Sequence, residues 1–192
     1  MNENRAINLE DFNISTIPNN KDIWLDLGCG KGNFLIKCAR RYPEKFILGI
    51  DYSQGIADKA QDKIIRSNLK NALALSGDFR ELLKIFPLNS IEKIHIICPD
   101  PWFKKRHRKR RTVTYELMKF IYKLLKTNGE FIFATDFCPY MLTVIKEDYE
   151  KFYNPYSSHT WVHKIKNFPY STYMEKSLDS DGRIFFMKRI KK

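Results

Sequence analysis

Apolar residues never accumulate in this chain into a membrane-crossing run: no window approaches the roughly 18 that a spanning helix needs. The first residues, MNENRAINLEDFN, also lack the apolar stretch of a signal peptide. Cysteine is scarce. Cys29, Cys38, Cys98 and Cys138 form no C-x-x-C pair and sit in apolar or glycine-rich surroundings, which argues against a disulfide framework and suits reduced, buried thiols. His159 and His163 share a helical i, i+4 spacing but have no Cys or acidic neighbour, so no metal is expected. No internal repeat or low-complexity linker divides the 192 residues. One domain over 1–192 is the default, with residues 1–20 as an amino-terminal extension. The expectation is a soluble, cytoplasmic chain, monomer or homodimer, with no obligate protein partner and no membrane attachment.

Negative charge is the scarcer sign, with 22 Asp and Glu against 34 Lys and Arg and a net charge of +12. Seven of those cations fall in the eight positions 104–111, KKRHRKRR, and supply more than half of the excess. A scattered excess would read as a solubilising face. A run this dense points to a polyanion, and nucleic acid suits it better than a membrane because no lipidation motif lies beside it.

Short apolar runs alternate with longer amphipathic ones. Strands are predicted over 22–28, 45–51, 71–78, 91–99 and 129–136, and helices over 33–43, 53–69, 79–87, 114–129 and 139–153. Two further strands, around SSHTWVHKIKNF and RIFFMKRI, are expected to pair antiparallel. The pattern specifies a doubly wound α/β domain: a mainly parallel, Rossmann-like seven-stranded sheet with helices on both faces and its last strand antiparallel. Ligands of such sheets sit outside the carboxyl ends of the strands.

Those strand ends carry the chemistry. DLGCGKG places Gly28, Gly30 and Gly32 in the turn after the first strand, a pattern that also fits dinucleotide binding or a plain tight turn. Asp26, Asp51, Asp78 and Asp100 stand at four successive strand ends. A pyrophosphate would gain little from so much negative charge, whereas S-adenosylmethionine brings a sulfonium, an amino group and a ribose. Asp51 is then assigned to the ribose hydroxyls, Asp78 with Phe79 to adenine, and Asp26 to the methionine end. NAD remains an alternative, since an acid about 20 residues past the glycines also meets a ribose there.

DLGCGKGNF, GID, PDPWFKKRHRKRR, FATDFCPY and PYSTYMEK follow one another in an order and spacing that resembles the bacterial tRNA (guanine-N(7))-methyltransferase family over about residues 22–189. The PDPW run with its basic block is the most specific of these. The resemblance implies a class I methyltransferase fold, S-adenosylmethionine as donor and a guanine of the tRNA variable loop as acceptor. By motif it makes Asp26, Asp51, Asp78 and Asp100 donor contacts and Asp100 also the catalytic residue. Lys104, Asp136 and the segment Ser171, Thr172, Tyr173 and Met174 would contact substrate, and Arg106, His107, Arg108, Lys109, Arg110 and Arg111 would hold RNA.

Two departures stand out. Residues 1–21 contain only Arg5 and Lys21 where the family carries a basic segment, and Met174 occupies the acid position of T-x-[FY]-E, so that either Glu175, one place later, substitutes or recognition is altered. Plainer roles compete at several positions: helix N-cap for Asp136, packing for Trp102, a surface loop for Tyr173 and Glu175. Alternative functions are an exocyclic-amine nucleic-acid methyltransferase and a catalytically silent tRNA-binding module.

Overall fold

The computed structural model describes residues 5–157 and 159–192. Eight strands form one sheet: β1 (Ile7–Asn8), β2 (Ile23–Leu27), β3 (Phe46–Asp51), β4 (Ala72–Ser76), β5 (Ile91–Ile97), β6 (Leu125–Thr135), β7 (Phe152–Tyr153) and β8 (Phe185–Lys191), in the order β1-β4-β3-β2-β5-β6-β8-β7. Every neighbouring pair is parallel except those made by β8, which runs against β6 and β7. Among the described residues six α-helices accompany it: α1 (Asn33–Arg41), α2 (Gln54–Arg66), α3 (Leu82–Ile85), α4 (Tyr115–Leu124), α5 (Cys138–Lys146) and α6 (Thr172–Asp179). The expected doubly wound sheet with a reversed last strand is present, with eight strands rather than seven.

Strand alternation divides the core by face. Leu25, Leu27, Leu48, Ile50, Ile94 and Ile96 pack with buried residues of α4 and α5, while Trp24, Ile47, Ala72 and Ala74 pack with α1, α2 and Met174. On α2 the buried stripe is Ala57, Ala60 and Ile64, while Ile65 is exposed. The small alanines let that helix lie close to the sheet.

Four local readings are corrected. Residues 5–20 belong to the fold: Leu9, Phe12 and Ile17 are buried, β1 extends the sheet, and Ala6 donates to Asp58 Oδ1 at 3.0 Å. Helix α4 stops at Leu124 instead of near Gly129. Its last carbonyls find other donors: Asn89 and Ser90 backbone N–H groups serve Lys123 and Leu124, and the buried Lys191 ammonium serves Tyr122 at 2.8 Å. That closure leaves no orphan end, and a cation at a helix C-terminus is favoured by the helix dipole. The helix expected to reach residue 153 ends at Lys146, because Tyr149 and Phe152 pack edge-to-face with Tyr122 and draw the chain back to the sheet edge as β7. Around residue 162 there is a single bridge, Val162 to Phe186, instead of a strand.

Candidate functional site

The order in which strands are added reverses at β2: the path goes out through β3 and β4 and returns to β5 on the other side. That switch point opens a crevice at the carboxyl ends of β2 and β5. The glycine turn after β2 lines it. Gly28 and Gly30 have φ of 76° and 55°, which only glycine adopts cheaply, and a Cβ at either would project into open space. The backbone there is bare toward the crevice. Gly32 serves packing: a Cβ would stand 3.0 Å from that of Ala60, so it lets α2 approach.

Asp51 organises this turn. Its Oδ2 accepts from Gly30 N at 3.0 Å and its Oδ1 from Ser53 N at 3.0 Å, tying the loop after β2 to the start of α2. Beneath it Asp26 is buried, and its Oδ2 has no hydrogen-bond partner. Burial, then the neighbouring Asp51 charge, push the Asp26 carboxyl up to about 7. Asp26, Gly28, Gly30, Cys98, Ser171 and Tyr173 are among the residues around a cleft of about 190 Å³. A buried acceptor without a donor, beside exposed glycine backbone, fits a ligand bearing a positive group.

The four acids do not share one surface. Asp78 lies on the wall of a second, larger cavity of about 760 Å³ with Tyr52 and Phe79. Its carboxylate caps the short helix that follows, and hydrogen bonds from the Arg80 side chain hold it below the usual carboxylate range. Asp51 connects the two spaces, since Gly30 lines the smaller and Tyr52 the larger. Asp100 is exposed on the loop after β5.

The corner containing Asp100 is held from behind. Arg111 donates from Nε to Pro101 O at 3.0 Å and from Nη1 to Thr143 Oγ1 at 2.7 Å, and it lies 4.6 Å over the Tyr140 ring. It is buried, so the expectation that Arg111 contacts RNA is corrected. The rest of the block, Lys105–Arg110, forms a 3-10 helix whose side chains are exposed apart from the half-buried His107. Trp102 packs beneath it, 5.8 Å from His107 and 5.1 Å from the Arg110 guanidinium. The exposed aromatic at the corner is instead Phe103, set against Phe137 at 4.8 Å. Its place beside PDPW was the sequence signal for it. Lys104 is exposed at the head of the same helix.

The segment read as a late loop is helix α6, capped by the Ser171 hydroxyl accepting from Met174 N at 3.2 Å. Helix phase then separates its residues. Thr172 and Tyr173 face out, and Tyr173 Oη donates to Asp136 Oδ2 at 2.6 Å, which pushes the phenol up to about 12. Met174 is fully buried, so its side chain is closed to substrate. Glu175 points to the other side, where it pairs with Lys37 at 2.6 Å, and it does not replace the missing acid at the cleft. The acid and hydroxyl at the mouth are Asp136 and Tyr173. Among the described residues no cluster of His, Cys, Asp or Glu could hold a metal ion. The cysteines are free, Cys29 and Cys38 buried, Cys98 and Cys138 half-buried.

A family model described as "Putative methyltransferase" matches residues 20–187. The chain is 33% identical to the tRNA (guanine-N(7)-)-methyltransferase of Geobacter metallireducens over 166 residues, 85% of this chain and 79% of that one. The chain belongs to the tRNA (guanine-N(7)-)-methyltransferase family. A family member from Mycoplasma genitalium is 40% identical over 69% of this chain and 65% of its own length. The Thermotoga maritima member is 43% identical, with 37% of its length matched. In fold the chain is similar to a solved 16S rRNA methyltransferase, with a TM-score of 0.63 at 14% identity, covering 97% of this chain and 98% of that one. An antibiotic-related methyltransferase gives 0.60 at 18% identity, with 99% and 98% covered. These likenesses establish a class I methyltransferase fold.

Proposed function

We propose that this protein transfers a methyl group from S-adenosylmethionine to nitrogen-7 of a guanine in the tRNA variable loop, as one cytoplasmic domain. The observation that carries the reading is the unpartnered, buried Asp26 oxygen under an open glycine turn, one strand away from an exposed basic helix. The relatives named for this activity supply the acceptor.

S-adenosylmethionine, when bound, supplies a methyl group on a positively charged sulfur. Asp26 would face its cationic methionine end, Asp51 the ribose hydroxyls, and Asp78 with Phe79 the adenine. Nitrogen-7 of guanine has an in-plane lone pair and no proton, so the new N–C bond needs no general base. Catalysis is then mostly positioning. Asp100 and Asp136 would accept hydrogen bonds from the guanine edge and balance the charge the base acquires, while Tyr173 holds Asp136 in place. Lys104 and the exposed cations from Arg106 to Arg110 would hold the RNA backbone.

Incubation with unmodified tRNA and labelled donor, followed by nucleoside analysis, should give 7-methylguanosine. Label found only on an exocyclic amine would overturn the assignment. The Met174 departure favours one second reading, a tRNA-binding protein without turnover, which predicts binding with no product.

A further inference from the structure

The cavity beside Asp78 is far larger than an adenine contact needs, and six of its fifteen wall residues are Lys or Arg against two acids. Beyond Asp78 and Phe79 it is bounded by Lys109 and Arg110 of the basic helix and by Lys119 and Lys123 of α4, over an apolar floor that includes Leu117 and Phe120. The two acids present do little to offset this. Asp78 is taken by Arg80, and Glu116 reaches only Lys119, at 3.9 Å with its own side chain 80% exposed. Among the described residues Lys109, Arg110 and Lys123 join no ion pair.

Four cations cannot be explained by the donor. Its adenine is neutral, and its one anionic group, the methionine carboxylate, lies in the proposed assignment at the Asp26 cleft, a separate space from this cavity. A chain of phosphates would. Lys119 and Lys123, at i and i+4 on one helix face, continue the positive surface of the basic helix onto a different element. From this we infer that α4 carries a second phosphate track, so that the RNA backbone runs from the basic helix across the mouth of the adenine cavity and along Lys119 and Lys123. The inference rests on the proposed RNA substrate and extends its footprint to a helix outside the PDPW motif.

The test is the double variant Lys119→Glu/Lys123→Glu beside Lys119→Ala/Lys123→Ala, with unmodified tRNA as probe. Thermal unfolding confirms that each is folded, and donor affinity is measured without RNA. Loss of two phosphate contacts should weaken tRNA binding on the order of tenfold and lower the slope of log affinity against log salt by about 1.4 to 1.8, with donor affinity unchanged. Unchanged tRNA affinity and slope in folded variants would overturn the inference while leaving the proposed function standing. Lost donor affinity with tRNA affinity intact would assign the groove to the donor and overturn it likewise. Failure of the unaltered protein to bind tRNA at all would remove both.

Discussion

Arg111, the last cation of the basic block, donates through Nε to the carbonyl oxygen of Pro101, inside the corner that aims Asp100. Lysine cannot serve Pro101 and Thr143 together, so Arg111→Lys strands a buried carbonyl or hydroxyl. We expect it to lower stability by about 2 kcal/mol, in the range for a lost charged hydrogen bond, and to reduce kcat with little change in tRNA affinity. Arg108→Ala should do the reverse, weakening tRNA binding at constant stability. Denaturant unfolding and filter binding on the two variants separate these outcomes; equal RNA loss in both would show that Arg111 reaches the RNA after all.

Asp51→Ala removes the acceptor shared by Gly30 and Ser53. Donor affinity should fall at least tenfold, since a charged hydrogen bond contributes about 1.5 kcal/mol or more, while tRNA affinity stays nearly unchanged. Calorimetry with S-adenosylmethionine and tRNA binding read this directly. Parallel loss of both would mean the variant has misfolded.

Asp26 and His95 should give opposing pH dependences. Burial raises Asp26 to about 7, so its contribution to stability is full below the unfolded value of 3.8 and is lost as pH rises through 7. His95, enclosed by Trp24, Phe34 and Phe168, is lowered to about 3 by burial and then by Lys93. Its contribution is full above the unfolded 6.5 and is lost as pH falls toward 3. Between about pH 4 and 6.5 each changes by about 1.4 kcal/mol per pH unit, in opposite directions, and they nearly cancel. Relative to the unaltered protein, Asp26→Asn should lose stability on acidification in that window and His95→Asn should gain it. Urea titrations at pH 5 and 6.5 giving the same change in unfolding free energy between the two pH values for all three proteins would refute this.

Cation binding beside Asp26 favours its ionised form. Donor affinity should therefore rise about tenfold per pH unit up to about pH 7 and level off above, with proton release on binding below that point. Calorimetry in buffers of different ionisation enthalpy measures the proton count, and a flat profile would exclude Asp26 from the donor site.

Restoring the family acid by Met174→Glu should fail. It would put an unpaired carboxylate into a fully buried site, costing several kcal/mol, so a folded, fully active Met174→Glu protein would contradict the placement of α6. Glu175→Ala, which breaks only an exposed ion pair with Lys37, should leave activity near normal.

Sequence alone determined whatever is written in adjacent residues: the glycine turn with its acids at strand ends, the PDPW corner, the basic run and the alternation that makes a parallel sheet. Each of these works through the backbone on either side of it, so spacing suffices. Tertiary structure decided which members of a run face inward. Arg111 is drawn from the basic block because Pro101, Thr143 and Tyr140 surround it, and the phase of α6 sends Met174 to the core and Glu175 to Lys37. The two-residue strands β1 and β7 depend on the sheet edges they join. The positive groove joins α4 to the basic helix that ends at Arg110 and to the turn after β4, and only folding brings those three segments to one wall.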